Sequence, residues 1–318
     1  MLSTIILTSC FMLSHCSSGS RERPESTASP ITYSSIEDGE IWFRHSQIQL
    51  RFDSEMYCRI FFRKDNHLLS MNDIPPDPRR AKPTHFIEVS GEEIRDFNVD
   101  YRNFGVSEIK TQFGVGKKMQ LVGYAKTSKG ILIEKKLTVE LYENYPDTAM
   151  LAASYLNLGK DSPILLTRTF SNFFRLDAAR TKPGVPSYLF WIRYGDYVES
   201  GGTSKLIHLN YSKTATFEND TSNPNSNLPM VDFWNQAMGM GIGNLSSPLQ
   251  AKTLTISVAP DQKVETGFVS ATALQLDSNQ SLLTDRIFVM VHPGNGRGTE
   301  EPWETFLRRY QQLKTGQR

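Results

Sequence analysis

In ILIEKKLTVELY, residues 131–142, Leu137, Val139 and Leu141 alternate with Thr138 and Glu140. A period of two places apolar side chains on one face of an extended strand and polar ones on the other. KTLTISVA, residues 252–259, repeats the pattern with Leu254, Ile256 and Val258 against Thr253, Thr255 and Ser257. Similar segments are IWFRHSQIQL (41–50), CRIFF (58–62), HFIEV (85–89), KKMQLVGYAK (117–126) and TAMLAASYLNL (148–158). ILLTRTFSNFF (164–174), SYLFWIRY (187–194), VETGFVSATALQL (264–276) and DRIFVMV (285–291) complete the set. The turn signals SKG, YPD, LGKDSP and KPGVP separate them. Many strands with hairpin-length connections and no interleaved helices predict a mostly antiparallel, all-β sandwich with large sheets. No internal repeat is visible.

The period changes at the end of the chain. In EEPWETFLRRYQQLKTGQR, residues 300–318, Trp303, Phe306, Leu307, Tyr310 and Leu313 follow helical spacing, and Pro302 suits a first turn. This helix carries a broad apolar stripe, which must pack on the sandwich or on something outside this sequence.

PMVDFWNQAMGMGIGNL, residues 229–245, holds the candidate chemistry. As a hairpin turning near Asn235–Ala237, it points Val231, Phe233, Met238, Met240 and Ile242 toward the core. Met230, Asp232 and Trp234 take the opposite face, beside a side-chain-free row of Gly239, Gly241 and Gly243. Glycine within a strand costs stability, so such a row implies close approach by another backbone or a ligand. Two readings follow: a tight contact between the sheet and another domain, or a sugar-facing surface. In the second, Asp232 would accept hydroxyl hydrogen bonds and Trp234 would cover the apolar side of a pyranose. Trp191, from the aromatic strand upstream, is a further candidate for that surface. The prediction is that this face is not sandwich core.

Composition narrows the function classes. The 318 residues include 35 Lys+Arg and 34 Asp+Glu, a net charge of +1 that offers no electrostatic case for nucleic acid or acidic membranes. The basic run Arg79, Arg80 and Lys82 lies among Pro75, Pro76, Pro78 and Pro83 and reads as a solvated loop. Of the three cysteines, Cys10, Cys16 and Cys58, only the last lies in the body, which leaves no disulfide framework. His45, His67, His85, His208 and His292 show no ligand spacing and read as surface or satisfied core residues. Neither a metal nor a cofactor is implied.

The start of the chain carries an address. Apolar residues 1–13 run into a polar, Pro-containing stretch, the order of an export signal followed by a flexible tether. LTSC, ending at Cys10, resembles a bacterial lipobox, and LSHC, ending at Cys16, matches it less well. Export to the periplasm or outer surface of a bacterium is expected, with membrane anchoring through lipid only.

NLPMVDFWNQAMGMGIGNL, residues 227–245, resembles the glycine-rich Pro-Val-Val-Asp-Val-Trp stretch of α-galactosidase-like glycoside hydrolases, family 36 and its melibiase relatives in clan D. SYLFWIRYGDYVESGGTSKLIHLN is similar to the strand and glycine-containing loop upstream, and LYENYPDTAMLAASYLNLGKDSPILL to a hairpin these sandwich domains share. TFLRRYQQL resembles the helix that leads to their catalytic barrel. The likeness covers roughly residues 40–314. It departs at Asn223–Leu228, where the family has glycines, at Asn244, where it tends to have His, and near Ser246, where it has an acid.

The resemblance implies a galactose-mutarotase-like β-supersandwich at 39–298, after a leader at 1–16 and a disordered tether at 17–38, with a linker helix at 299–318. It implies a non-catalytic domain, because a (β/α)8 barrel of about 200 to 250 residues has no counterpart in these 318. Retaining glycosidases use two carboxylates about 5 Å apart, which this family carries on the barrel. Asp196, Asp220 and Asp232 fall in sandwich segments and are not nominated as catalysts. The expected partners are a barrel, in cis or in trans, and an α-linked oligosaccharide. Two alternatives stand beside this reading. One is a free-standing carbohydrate-binding surface lipoprotein, which calls for an exposed aromatic platform. The other is a mutarotase-type epimerase, for which His208 and Glu218 are the nearest His and Glu pair.

Overall fold

Alternating strands satisfy their backbone groups only by pairing, and each leaves one apolar face that must be covered. The structure, a computed structural model, describes residues 30–35, 39–72, 82–176, 191–196, 204–208, 215–218, 229–245, 252–258, 263–295 and 301–316. Among these residues, 22 strands and one α-helix carry the fold.

The first strands are β1 (Thr32–Ser35), β2 (Ile41–Arg44), β3 (Ile48–Phe52), β4 (Cys58–Lys64) and β5 (His67–Leu69), and they form a sheet in that order. There follow β6 (Phe86–Val89), β7 (Glu92–Ile94), β8 (Asn98–Val99), β9 (Gly105–Thr111), β10 (Gly114–Lys126), β11 (Leu132–Tyr142), β12 (Thr148–Asn157) and β13 (Ile164–Leu176). Next come β14 (Trp191–Asp196), β15 (Ser204–His208), β16 (Ala215–Glu218), β17 (Pro229–Trp234) and β18 (Met238–Asn244). The last are β19 (Thr253–Val258), β20 (Val264–Leu276), β21 (Ser281–Leu283), β22 (Ile287–Pro293) and the helix α1 (Glu301–Thr315).

Two larger sheets build the sandwich. An 11-stranded sheet runs β15-β14-β17-β18-β22-β12-β11-β10-β8, with β21 beside β12 and β9 beside β10. A six-stranded sheet runs β16-β19-β20-β13-β6-β7. Both are antiparallel, as at β10–β11, where Met119 faces Val139, and at β13–β20, where two register shifts bend the strands.

The main core unites inward residues of all three sheets, including Leu50, Leu137, Val139, Leu166, Phe233 and Val289. A second apolar cluster lies on the other face of the 11-stranded sheet. There Trp303, Phe306, Tyr310 and Leu313 of α1 meet Met150, Met230, Phe288 and Met290. The helix stripe read from its spacing is therefore covered by the sandwich itself. Glu301 and Glu304 in its first turn and Lys314 in its last complement the helix dipole.

Three details differ from the sequence reading. The expected tether at 17–38 ends earlier, since Ile31 is fully buried and Thr32–Ser35 pair with Ile41–Arg44. Burial of Ile31, the pairing with β2 and a hydrogen bond from Lys117 Nζ to the Ile31 carbonyl at 2.9 Å fasten that segment. IWFRHSQIQL forms two strands rather than one, because the chain reverses at His45–Gln47, where His45 N donates to Ile48 O at 2.8 Å. β9, GVSEIKT, lacked enough apolar residues to register as a strand, and it is held as an edge by backbone pairing to β10. Cys10, Cys16 and Asp220 lie outside the described residues.

Candidate functional site

The hairpin β17–β18 is the centre of the candidate surface. Asn235 closes it: its side chain accepts from the backbone N–H groups of Ala237 and Met238 at 2.8 and 3.0 Å. Register puts Asp232 opposite Gly241 and Trp234 opposite Gly239. On the inward face, Val231, Phe233, Met238, Met240 and Ile242 all join the main core, as the alternation requires.

The opposite face is not open. Asp232 and Trp234 are both 0% exposed, so the expectation of a solvent- or sugar-facing surface is corrected. The cover comes from this chain. β22 pairs with β18 so that Gly239 faces His292 and Gly243 faces Phe288. A Cβ at Gly239 would strike the His292 ring, one at Gly241 the Phe306 ring of α1, and one at Gly243 the Phe288 ring. The glycine row is a seat for rings from β22 and α1 of this chain, a close packing contact of the kind expected but made without a second domain.

His292 is the partner that Asp232 requires. Its Nε2 lies 2.8 Å from Asp232 Oδ1, and its Nδ1 lies 2.9 Å from the Pro293 carbonyl oxygen. Both of those oxygens accept hydrogen bonds when Asp232 is ionised, so a ring with a proton on each nitrogen satisfies both contacts. Burial pushes the imidazolium down, but the Asp232 charge and hydrogen bond, the Pro293 carbonyl and the Asp147 charge outweigh it. The pKa of His292 is consequently raised above the ordinary histidine value. The pair is a buried His–Asp hydrogen bond that favours the charged form of the ring.

Around it α1 is fastened by several contacts. Arg309 donates to Asp147 Oδ2 at 2.8 Å, and the Tyr310 hydroxyl donates to the Asn244 carbonyl at 3.1 Å. Phe288 stacks on both Phe306 and Tyr310, with centroids 5.7 and 5.6 Å apart. The Arg193 guanidinium lies 5.5 Å from the Trp303 ring centre. Asn244, where the family tends to have His, thus lends its backbone to the helix contact.

Other candidates are placed as follows. Trp191 is the backbone partner of Trp234 and of His208, and its side chain lies outside the described residues. His208 is in β15 of the 11-stranded sheet, whereas Glu218 is in β16 of the six-stranded one. The His and Glu pair needed by an epimerase would have to share one concave sheet, and these two do not. Asp196 ends β14 opposite Pro229. Among the described residues no group of three or more His, Cys, Asp or Glu is placed to hold a metal ion, and no helix is long and apolar enough to cross a membrane.

The sequence reading missed His292 as a site residue, because it lies 60 positions from Asp232. The signal was present in part: alternation in IFVMVHP, residues 287–293, sets His292 on the face of Phe288 and Met290, away from Val289 and Val291. Pairing β22 with the glycine row would have completed it.

No protein-family model matches the chain, and no curated protein matches it either. Among solved structures it is similar to the GH36 α-galactosidase AgaB of Geobacillus stearothermophilus, with a TM-score of 0.59 and 11% identity over 83% of this chain and 41% of that one. It is similar to the galactosidase domain of the α-galactosidase–sucrose kinase AgaSK, at TM-score 0.59 and 9% identity, over 83% of this chain and 42% of that one. It is also similar to the GH36 α-galactosidase AgaA of Geobacillus stearothermophilus, at TM-score 0.55 and 9% identity, over 83% and 42%. The chain therefore has, in fold, the β-supersandwich expected from its resemblance to α-galactosidase-like enzymes, and it spans about two fifths of their length.

Proposed function

We propose that this chain is the N-terminal, non-catalytic sandwich portion of an exported α-galactosidase-like glycoside hydrolase. It would work against a (β/α)8 barrel, in cis or on a separate chain, in the degradation of α-linked oligosaccharides. The carrying observation is the fold likeness, which spans 83% of this chain but only 41% of the α-galactosidase AgaB. The chemistry of the site agrees: the buried carboxylate of Asp232 faces an imidazole, 2.8 Å away, and not a second carboxylate. The leader supports export, with lipid attachment at Cys10 or Cys16 and a place in the periplasm or on the outer surface.

The test is to purify the native species from its host with an antibody against the sandwich. The reading expects a species that contains a barrel, hydrolyses an aryl α-galactoside and has a lipid-modified N-terminus at or before Cys16. An inactive, barrel-free protein that retains Met1 would refute it. A free-standing carbohydrate-binding role has one observation in its favour, the half-exposed, stacked pair of Trp42 and Phe61.

A further inference from the structure

The small sheet β1–β5 buries one face in the main core and presents the other outward. On the outward face, β2 contributes Trp42 and Arg44, β3 contributes Arg51 and the buried Gln49, and β4 contributes Arg59, Phe61 and Arg63. Cross-strand register places Trp42 beside Arg51 and Arg51 beside Arg59. Like charges directly opposite one another weaken a strand pair, and here the Arg51–Glu40 ion pair offsets part of that cost.

The aromatic rings organise the cations. Trp42 and Phe61 stack with centroids 5.4 Å apart and planes 25° apart. The Arg44 guanidinium lies 4.6 Å from the Trp42 ring centre, and that of Arg51 lies 5.7 Å from Trp42 and 5.9 Å from Phe61. A guanidinium held near a ring loses rotamer freedom before any ligand arrives, while its N–H fork keeps the geometry that fits a carboxylate. The face shows this preference in its own contacts, since Arg51 already takes the Glu40 carboxylate at 3.1 Å. Arg44 donates to the Ser34 hydroxyl at 2.6 Å, and Arg63 is exposed beside Leu68, itself 46% exposed.

We propose that this outward face of β1–β5 binds a carboxylate-bearing polysaccharide, through Arg44, Arg51 and Arg63, with Trp42 and Phe61 fixing the guanidinium groups. Charge complementarity carries the anionic part of the inference. That the polyanion is a glycan rather than an acidic protein rests on the proposed function. The site is separate from the α1 seat on the 11-stranded sheet, so loss of anion binding here and loss of the hydrolase reading are told apart by separate measurements.

The experiment is affinity electrophoresis of the full chain in gels containing polygalacturonate, neutral galactan, dextran sulfate or poly-glutamate. It is run at low and high salt, on wild type, Arg63→Gln and the triple variant Arg44→Gln/Arg51→Gln/Arg63→Gln. The proposal expects retardation by polygalacturonate, stronger than by dextran sulfate or poly-glutamate and absent with galactan. Removing charge-assisted contacts should weaken it about tenfold or more in the triple variant, and high salt should weaken it further. Arg63→Gln alone, at an exposed position, should lose part of the binding with an unchanged unfolding temperature. No retardation of folded wild type, equal retardation by poly-glutamate or dextran sulfate, or full retention in Arg63→Gln and the triple variant would each overturn it. Polygalacturonate binding by a chain shown to have no barrel partner would remove the hydrolase reading and leave this one standing.

Discussion

Two buried basic groups lie on opposite faces of the same 11-stranded sheet, and they behave differently. His292, on the outer face under α1, has Asp232 at 2.8 Å, and its pKa is raised. Lys135, on the inner face, is 0% exposed and donates to a neutral acceptor, the His85 carbonyl oxygen, at 2.6 Å. Burial lowers its pKa to about 7, and the Asp53 charge offsets this only in part. Depth in the protein is the same for both. What separates them is whether a carboxylate lies in direct hydrogen-bond contact, which decides whether the charged form is favoured or disfavoured.

The largest expected effect is from breaking the paired side. Asp232→Ala removes the hydrogen-bond partner and charge that hold the buried His292 ring and should cost about 3 to 5 kcal/mol in urea unfolding near pH 6. Because the folded pKa of His292 is raised, its stabilising contribution is complete below about pH 6.5, the unfolded value. It is lost as pH rises through the folded pKa. The difference between wild type and Asp232→Ala should therefore shrink toward alkaline pH, and a pH-independent difference would remove the ion pair from the explanation.

On the unpaired side the sign reverses. Lys135→Met replaces a buried amine, held by a neutral carbonyl and the Phe97 ring face, with a chain of similar shape and should stabilise the protein by about 1 to 4 kcal/mol at pH 6. With a folded pKa of about 7 against an unfolded value of 10.5, wild type should gain stability as pH rises from 7 toward 10. The variant should lack that gain, and a loss of stability in Lys135→Met at pH 6 would contradict the contrast.

A smaller effect tests the cover over the paired side. Gly241→Ala drives a methyl against the Phe306 ring and should cost about 1 to 3 kcal/mol, read as a lower unfolding midpoint. The smallest concerns the arginine face: Arg44→Gln is expected to stay within about 0.5 kcal/mol of wild type. A larger loss would mean that this residue serves the fold rather than a ligand.

The legibility of the sequence divides along the same faces. Inward residues such as Leu137, Val139 and Phe233 obey a period of two and were readable, as was the helical stripe Trp303–Leu313. The hairpin at Asn235 was readable too, and so was the close approach at the glycines. What covers them was not, because Phe306 and His292 reach the row from elements distant in sequence, and alternation records a face without naming its partner. For this reason the alternation left both a packing contact and a sugar-facing surface open for Trp234. An indole opposite a glycine suits a ligand and a buried packing position equally well, and only the fold distinguishes them. The arginine face was hidden by net charge, since +1 over the whole chain conceals a local excess.

The central proposal is that this sandwich belongs to a glycosidase and does not itself supply the catalytic residues. Hydrolysis of an aryl α-galactoside by the purified chain alone measures it directly. The account predicts no turnover above buffer. Turnover that survives purification to homogeneity, and that a folded Asp232→Asn variant abolishes, would contradict it.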